Sequence, residues 1–129
     1  MSRPVLADTS IWVDFLRNEP RIAPALRSLL EENRVVTLDV VGAELLQGAR
    51  DERERSIILS YWENLPRAVQ PDPLIEAGLR AGRERLTEKG VGLVDAVLLQ
   101  AAHATNARVW TLDRALLTCV KMKDRYTAP

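Results

Sequence analysis

The stretch Val5-Leu6-Ala7-Asp8-Thr9-Ser10-Ile11-Trp12-Val13-Asp14-Phe15-Leu16-Arg17 does most to limit what this chain can fold into. Three apolar residues read as a short buried strand that ends in a carboxylate and two hydroxyls. Ile11 and Phe15, one helical turn apart, then open an amphipathic run. A strand feeding a helix through Asp-Thr-Ser sets an acidic side chain at the carboxyl edge of a sheet, where open α/β sheets bind ligands. The same residue types are preferred as helix caps. The stretch alone therefore leaves a ligand site and a helix cap equally open.

The chain beyond it alternates strands with helices. Asn18-Glu19-Pro20 marks a turn, and a helix follows over roughly 22–33 with Leu26, Leu29 and Leu30 on one face. Val35 to Leu38 is a β-branched strand. Asp39 stands at the N-cap of a helix through Val40, Val41, Glu44 and Leu45 that closes at Gly48. Residues 51–65 form a helix with a charged start, read as a solvated face with intrahelical ion pairs. Arg67 to Gln70 is a weak third strand. Asp72 then caps a helix that opens at Pro73 and runs to about Lys89, ending at Gly90. A helix over Leu93–Thr105, a fourth strand over Ala107–Leu112 and a short helix after Asp113 complete the pattern. The tail from Val120 to Tyr126 is read as a fifth, edge strand. This order predicts one domain over 1–129 with a mostly parallel sheet of four to five strands, covered by helices on both faces.

The 18 basic and 18 acidic residues cancel, so a nucleic-acid contact would have to come from a local patch. The single cysteine, Cys119, excludes an intrachain disulfide and fits a reducing cytoplasm. The single histidine, His103, excludes a zinc site built on several histidines. No apolar run reaches the ~18 residues of a membrane span, and no signal peptide is visible. A soluble, cytoplasmic protein is expected.

Topology sorts the acids. In a right-handed βαβ unit each helix starts at the carboxyl edge of the strands. Asp8 ends the first strand, Glu44 lies in the second turn of the helix after the second strand, Asp95 in the first turn of the helix before the fourth, and Asp113 just past it. All four belong to one edge. Asp95 shares a helix face with Leu98, Leu99 and Ala102, and Glu44 shares one with Val40 and Val41, with no Lys or Arg on either face. Singly, these acids are explained by helix dipoles and solvent-facing ends. Together they suggest a carboxylate cluster, which selects Mg²⁺ or Mn²⁺ and can activate water for displacement at phosphorus.

With these segments in hand, the sequence resembles the PIN-domain ribonucleases, most closely the VapC-type toxins of bacterial toxin–antitoxin modules. The resemblance rests on VLADTSIWVDFLR (Val5–Arg17), VGAELLQGA (Val41–Ala49), GLVDAVLLQAA (Gly92–Ala102) and VWTLDRAL (Val109–Leu116), and it covers nearly the whole chain. It implies a three-layer α/β/α sandwich and a Mg²⁺- or Mn²⁺-dependent endoribonuclease. Asp8, Glu44, Asp95 and Asp113 would form the catalytic metal site, with Ser10 in support. It also implies an RNA substrate, a VapB-like antitoxin that neutralises the enzyme, and a homodimer formed through the helices between 22 and 65. Gly92 and Leu116 depart from the family pattern, which often has a small hydroxyl residue and an aromatic residue there.

Other readings stay beside this one. A catalytically silent PIN-fold binding module has the same fold and binds partners without cleaving. A receiver- or haloacid-type phosphate-transfer domain would need a second carboxylate near Asp8 and a Lys after a later strand. His103 and Cys119 are read as structural, and Asp14 as a surface partner of Arg17. Trp12, Trp62 and Trp110 are read as core or interface residues. Arg50, Arg53 and Arg55 are read as a solvated face rather than an RNA grip.

Overall fold

The computed structural model describes residues 2–68 and 73–129. Its central sheet has three parallel strands, β1 (Val5–Ala7), β2 (Val35–Val36) and β3 (Arg108–Trp110), in the order β2-β1-β3. Val5 pairs with Val35 on one side and Arg108 on the other. All of β1 is buried, as a central strand covered on both faces must be. The helices are α1 (Thr9–Leu16), α2 (Ala23–Glu31), α3 (Asp39–Gln47), α4 (Glu52–Asn64), α5 (Pro73–Arg83), α6 (Leu93–Thr105) and α7 (Arg114–Thr118). They make a three-layer α/β/α arrangement around the small sheet.

The expected four to five strands are corrected to three. The third strand placed at Arg67–Gln70 is a single parallel bridge between Thr37 and Arg67, flanked by Thr37 N–H to Pro66 O and Ala68 N–H to Thr37 O. Pro66 has no N–H to extend a ladder, and Val69 and Gln70 lie outside the described residues. The fifth strand is likewise one bridge, Val109 to Arg125, with the Tyr126 N–H on Val109 O at 2.9 Å. Met122–Asp124 are wound into a 3₁₀ turn, which leaves too few extended residues to pair.

Three local readings also change. The helix expected to reach Lys89 stops at Arg83. Arg85 takes a left-handed φ of 53°, and a separate 3₁₀ turn over Leu86–Lys89 drops Leu86 into the core. Asp39 is the first residue of α3 rather than its cap and pairs instead with Arg67 at 2.7 Å. Asp14 and Arg17 form no ion pair among the described residues. The cap expected of Asp72 lies outside the described residues.

One face of the core is aromatic. Trp12 packs against Phe15, Tyr61 and Trp62 with centroids 4.9–5.7 Å apart, tying α1 to α4. The Trp62 Nε1–H donates to Leu38 O at 3.1 Å, and a Cβ on Gly42 would stand 2.5 Å from that nitrogen. Glycine at 42 is therefore what lets α3 lie against the indole. All three tryptophans are buried, as the core reading expected, while His103 is exposed and Cys119 half-buried. The charged start of α4 forms an expected intrahelical pair, Arg55 with Glu52, while Arg50, just ahead of the helix, pairs with Glu54.

Candidate functional site at the carboxyl edge

Strand order 2-1-3 makes the chain leave β1 toward one side and return on the other, which opens a crevice at the carboxyl ends of β1 and β3. Asp8 sits in it, joined to β3 by its N–H on Trp110 O at 3.0 Å. Its side chain is buried and caps α1, accepting from the Ile11 N–H at 3.3 Å. Ser10 Oγ donates to Oδ1 at 2.5 Å, and Thr111 Oγ1 donates to Oδ2. Those hydroxyls are themselves held. Ser10 Oγ accepts from the Leu112 N–H at 3.2 Å and Thr111 Oγ1 from the Asp113 N–H at 3.0 Å. Burial pushes the Asp8 carboxyl above its ordinary range, and the hydroxyl and backbone donors pull against that shift.

The other acids are placed differently. Glu44 is exposed rather than on a buried face, and its Oε1 accepts from Thr9 Oγ1 at 2.6 Å. Asp113 is also exposed and caps α7, with Oδ1 accepting from the N–H groups of Ala115 and Leu116 at 2.8 and 3.3 Å. Asp95, partly buried in the first turn of α6, makes no side-chain hydrogen bond among the described residues. Its carboxyl is pushed from 3.8 to about 6, first by burial and then by the charges of Asp8, Asp113 and Glu44. Asp95 thus feels the charge of the other three acids.

They do not assemble into a ligand set. Among the described residues, no group of three or more His, Cys, Asp and Glu side chains could hold a metal ion. A hard cation needs several carboxylate oxygens turned toward one point at ~2.0–2.6 Å. Here both oxygens of Asp8 face hydroxyls, Glu44 is turned to Thr9, and Asp113 to the start of α7. The expected Mg²⁺ or Mn²⁺ site is corrected accordingly. The metal-dependent endoribonuclease activity that rested on it is corrected with it, because the donors present do not fit the ion.

Two residues at this edge escaped the sequence reading. Thr111 and Thr9 supply hydroxyls to Asp8 and Glu44, and Thr111 is buried. The available signal is a hydroxyl residue directly after the β3 run and another directly after Asp8, but the sequence reading puts the first inside the fourth strand and the second among the possible helix caps.

Residues 5–118 match the PIN domain family. The chain belongs to the PIN-domain family. Among solved structures, this PIN domain is similar to a chain in the crystal structure of VapBC2 from Rickettsia felis bound to a DNA fragment from their promoter. The TM-score is 0.66 at 19% identity, covering 90% of this chain and 92% of that one. No match was found among curated proteins. Among the described residues of this PIN domain, no helix is long and apolar enough to cross a membrane.

Proposed function

We propose that this PIN domain is a toxin-like binding module of the VapC type, one that engages a protein partner at its acidic edge and does not cleave RNA. The supporting observation is the Asp8 carboxylate. Its two oxygens are taken up by Ser10 and Thr111, while Glu44 and Asp113 are engaged by Thr9 and the α7 backbone. In this reading Asp8 is a structural bracket, and Asp95 with its acidic surroundings is the recognition surface.

Such an edge favours a cation that needs no convergent lone pairs. A guanidinium fits, since it spreads its charge over a planar fork and pairs with carboxylates one or two at a time. A partner segment offering an Arg would relieve the repulsion that raises Asp95. In this reading the partner is a cytoplasmic antitoxin, as the likeness to a VapBC2 chain suggests.

The test has two arms. The purified chain is incubated with total RNA in Mg²⁺ and in Mn²⁺, and RNA ends are sequenced beside an Asp8→Asn control. Equal RNA profiles are expected, and cleavage lost only in the control overturns the silent reading. The product of any short reading frame abutting this one is then titrated onto the chain. Binding is expected to weaken about tenfold in Asp95→Asn, and affinity unchanged by that substitution removes the acidic edge as the contact.

A further inference from the structure

A cavity lies at the edge of the sheet opposite Asp8, where β1 and β3 begin. It holds about 350 Å³, within the range of small-molecule sites. Its floor is apolar and buried, made by Leu99 and Ala102 of α6, Val109 of β3 and Val120. Its rim is basic. Arg3 ahead of β1, Arg80 of α5, His103 of α6, and Lys121 and Lys123 of the tail meet there, with Asp124 as the one acid among the described residues of the lining. The chain's balanced total charge conceals this local excess.

The rim is held in place. Arg3 donates to Asn106 O and Lys123 O, both at 3.0 Å, and to Asp124 Oδ1 at 2.9 Å, which fastens the 3₁₀ turn over Met122–Asp124 to the end of α6. Arg3 thereby neutralises Asp124, and Arg80 is paired with Glu84 at 2.6 Å. Lys121, Lys123 and His103 have no ion-pair partner among the described residues, and all three are exposed. The Asp124 carboxyl is held below its ordinary range by the Arg3 hydrogen bond first and then by the charges of Lys123 and Lys121, as a positive field requires.

Two lysines and an imidazole that can donate exceed what one carboxylate needs. They match phosphate, which carries about two charges and three acceptor oxygens per group. An apolar floor adds nothing to the binding of a bare ion, and an enclosed space of this size suits a small molecule rather than a macromolecule. We propose that this cavity binds a small organic polyphosphate of the nucleoside triphosphate class, its phosphates on Lys121, Lys123 and His103 and its organic part over Val109 and Val120. The site stands apart from the acidic edge and is independent of the silent-module reading.

Isothermal titration of the full chain with ATP, without divalent metal, reads it directly. Saturable binding below about 1 mM is expected, with inorganic triphosphate about tenfold weaker. Lys121→Glu combined with Lys123→Glu should weaken ATP at least tenfold at an unchanged unfolding temperature, since both side chains are exposed. Lys89→Glu, at the one lysine outside the lining, should leave ATP binding as it was. Cys119, the single cysteine, lines the same cavity and reports position. Saturating ATP should slow its alkylation by iodoacetamide several-fold. No saturation up to about 1 mM, triphosphate as tight as ATP, an alkylation rate indifferent to ATP, or an equal loss from Lys89→Glu overturns the proposal. So does a short RNA that binds more tightly than ATP and is lost with the same two lysines, which would make this edge a polymer interface.

Discussion

Thr111, just past β3, donates its hydroxyl to the carboxylate of Asp8, just past β1, although the two lie 103 residues apart in sequence. Both side chains are buried, and the pair fastens the two strands at the end where their ladder stops. Thr111→Val keeps the shape and leaves Oδ2 of a buried carboxylate without its donor. The expected cost is about 1–3 kcal/mol. It should be larger at pH 7.5 than at pH 4, because the Asp8 carboxyl, already raised by burial, rises further when the donor is removed. Urea unfolding at the two pH values checks this, and an equal cost at both would detach Thr111 from the ionisation of Asp8.

Asp95 gives a pH dependence of definite sign. Its folded value of about 6 lies above the ordinary 3.8, so the folded state binds the proton more tightly. That contribution is present at low pH and lost as pH rises from about 4 through 6. Asn at 95 imitates the protonated acid. Asp95→Asn should therefore stabilise the chain at pH 7, on the order of 1–2 kcal/mol after discounting for partial exposure, and change little at pH 3.5. Thermal unfolding across pH 3.5–8 reads both ends. A variant less stable than wild type at pH 7 would show that Asp95 is stabilised as the anion.

Two helical glycines should respond oppositely to the same change. Gly78 faces open space, so Gly78→Ala should add about 0.5–1 kcal/mol from helix propensity. Gly42 faces the Trp62 indole at 2.5 Å, so Gly42→Ala must push apart α3 and the buried ring, at about 1–3 kcal/mol. Chemical denaturation of both single variants compares them. A neutral Gly42→Ala would mean that Trp62 gives way without losing its bond to Leu38 O.

If the four acids do not converge on an ion, divalent metal should do little to stability. Mn²⁺ at millimolar concentration is expected to move the unfolding midpoint of wild type no more than that of Asp8→Asn. Site binding at a hundredfold excess over the dissociation constant would instead stabilise wild type by about 2.7 kcal/mol. Calorimetric scans with chelator and with Mn²⁺ make the comparison, and a rise of that size confined to wild type would restore a metal site.

The sequence by itself determined the order of the elements and the edge to which the acids belong. Apolar runs such as Val5–Ala7 and the residues that end them are local, and right-handed crossover then leaves little choice of where Asp8, Glu44, Asp95 and Asp113 lie. It also marked Trp12, Trp62 and Trp110 as core or interface residues, and the structure buries all three. What it could not determine is where side-chain oxygens turn once they arrive. Spacing placed four carboxylates at one edge. Only the tertiary structure sets Thr111 against Asp8 and Thr9 against Glu44, since those hydrogen bonds join residues 103 and 35 positions apart. The same holds for the sheet. Arg67 and Arg125 each reach a strand, but pairing beyond one bridge depends on how neighbouring residues are spent, on a proline at 66 and a 3₁₀ turn at 122–124. Strand-forming tendency is a local property. Strand pairing and ligand convergence depend on distant partners, and no window of the sequence contains both sides of those contacts.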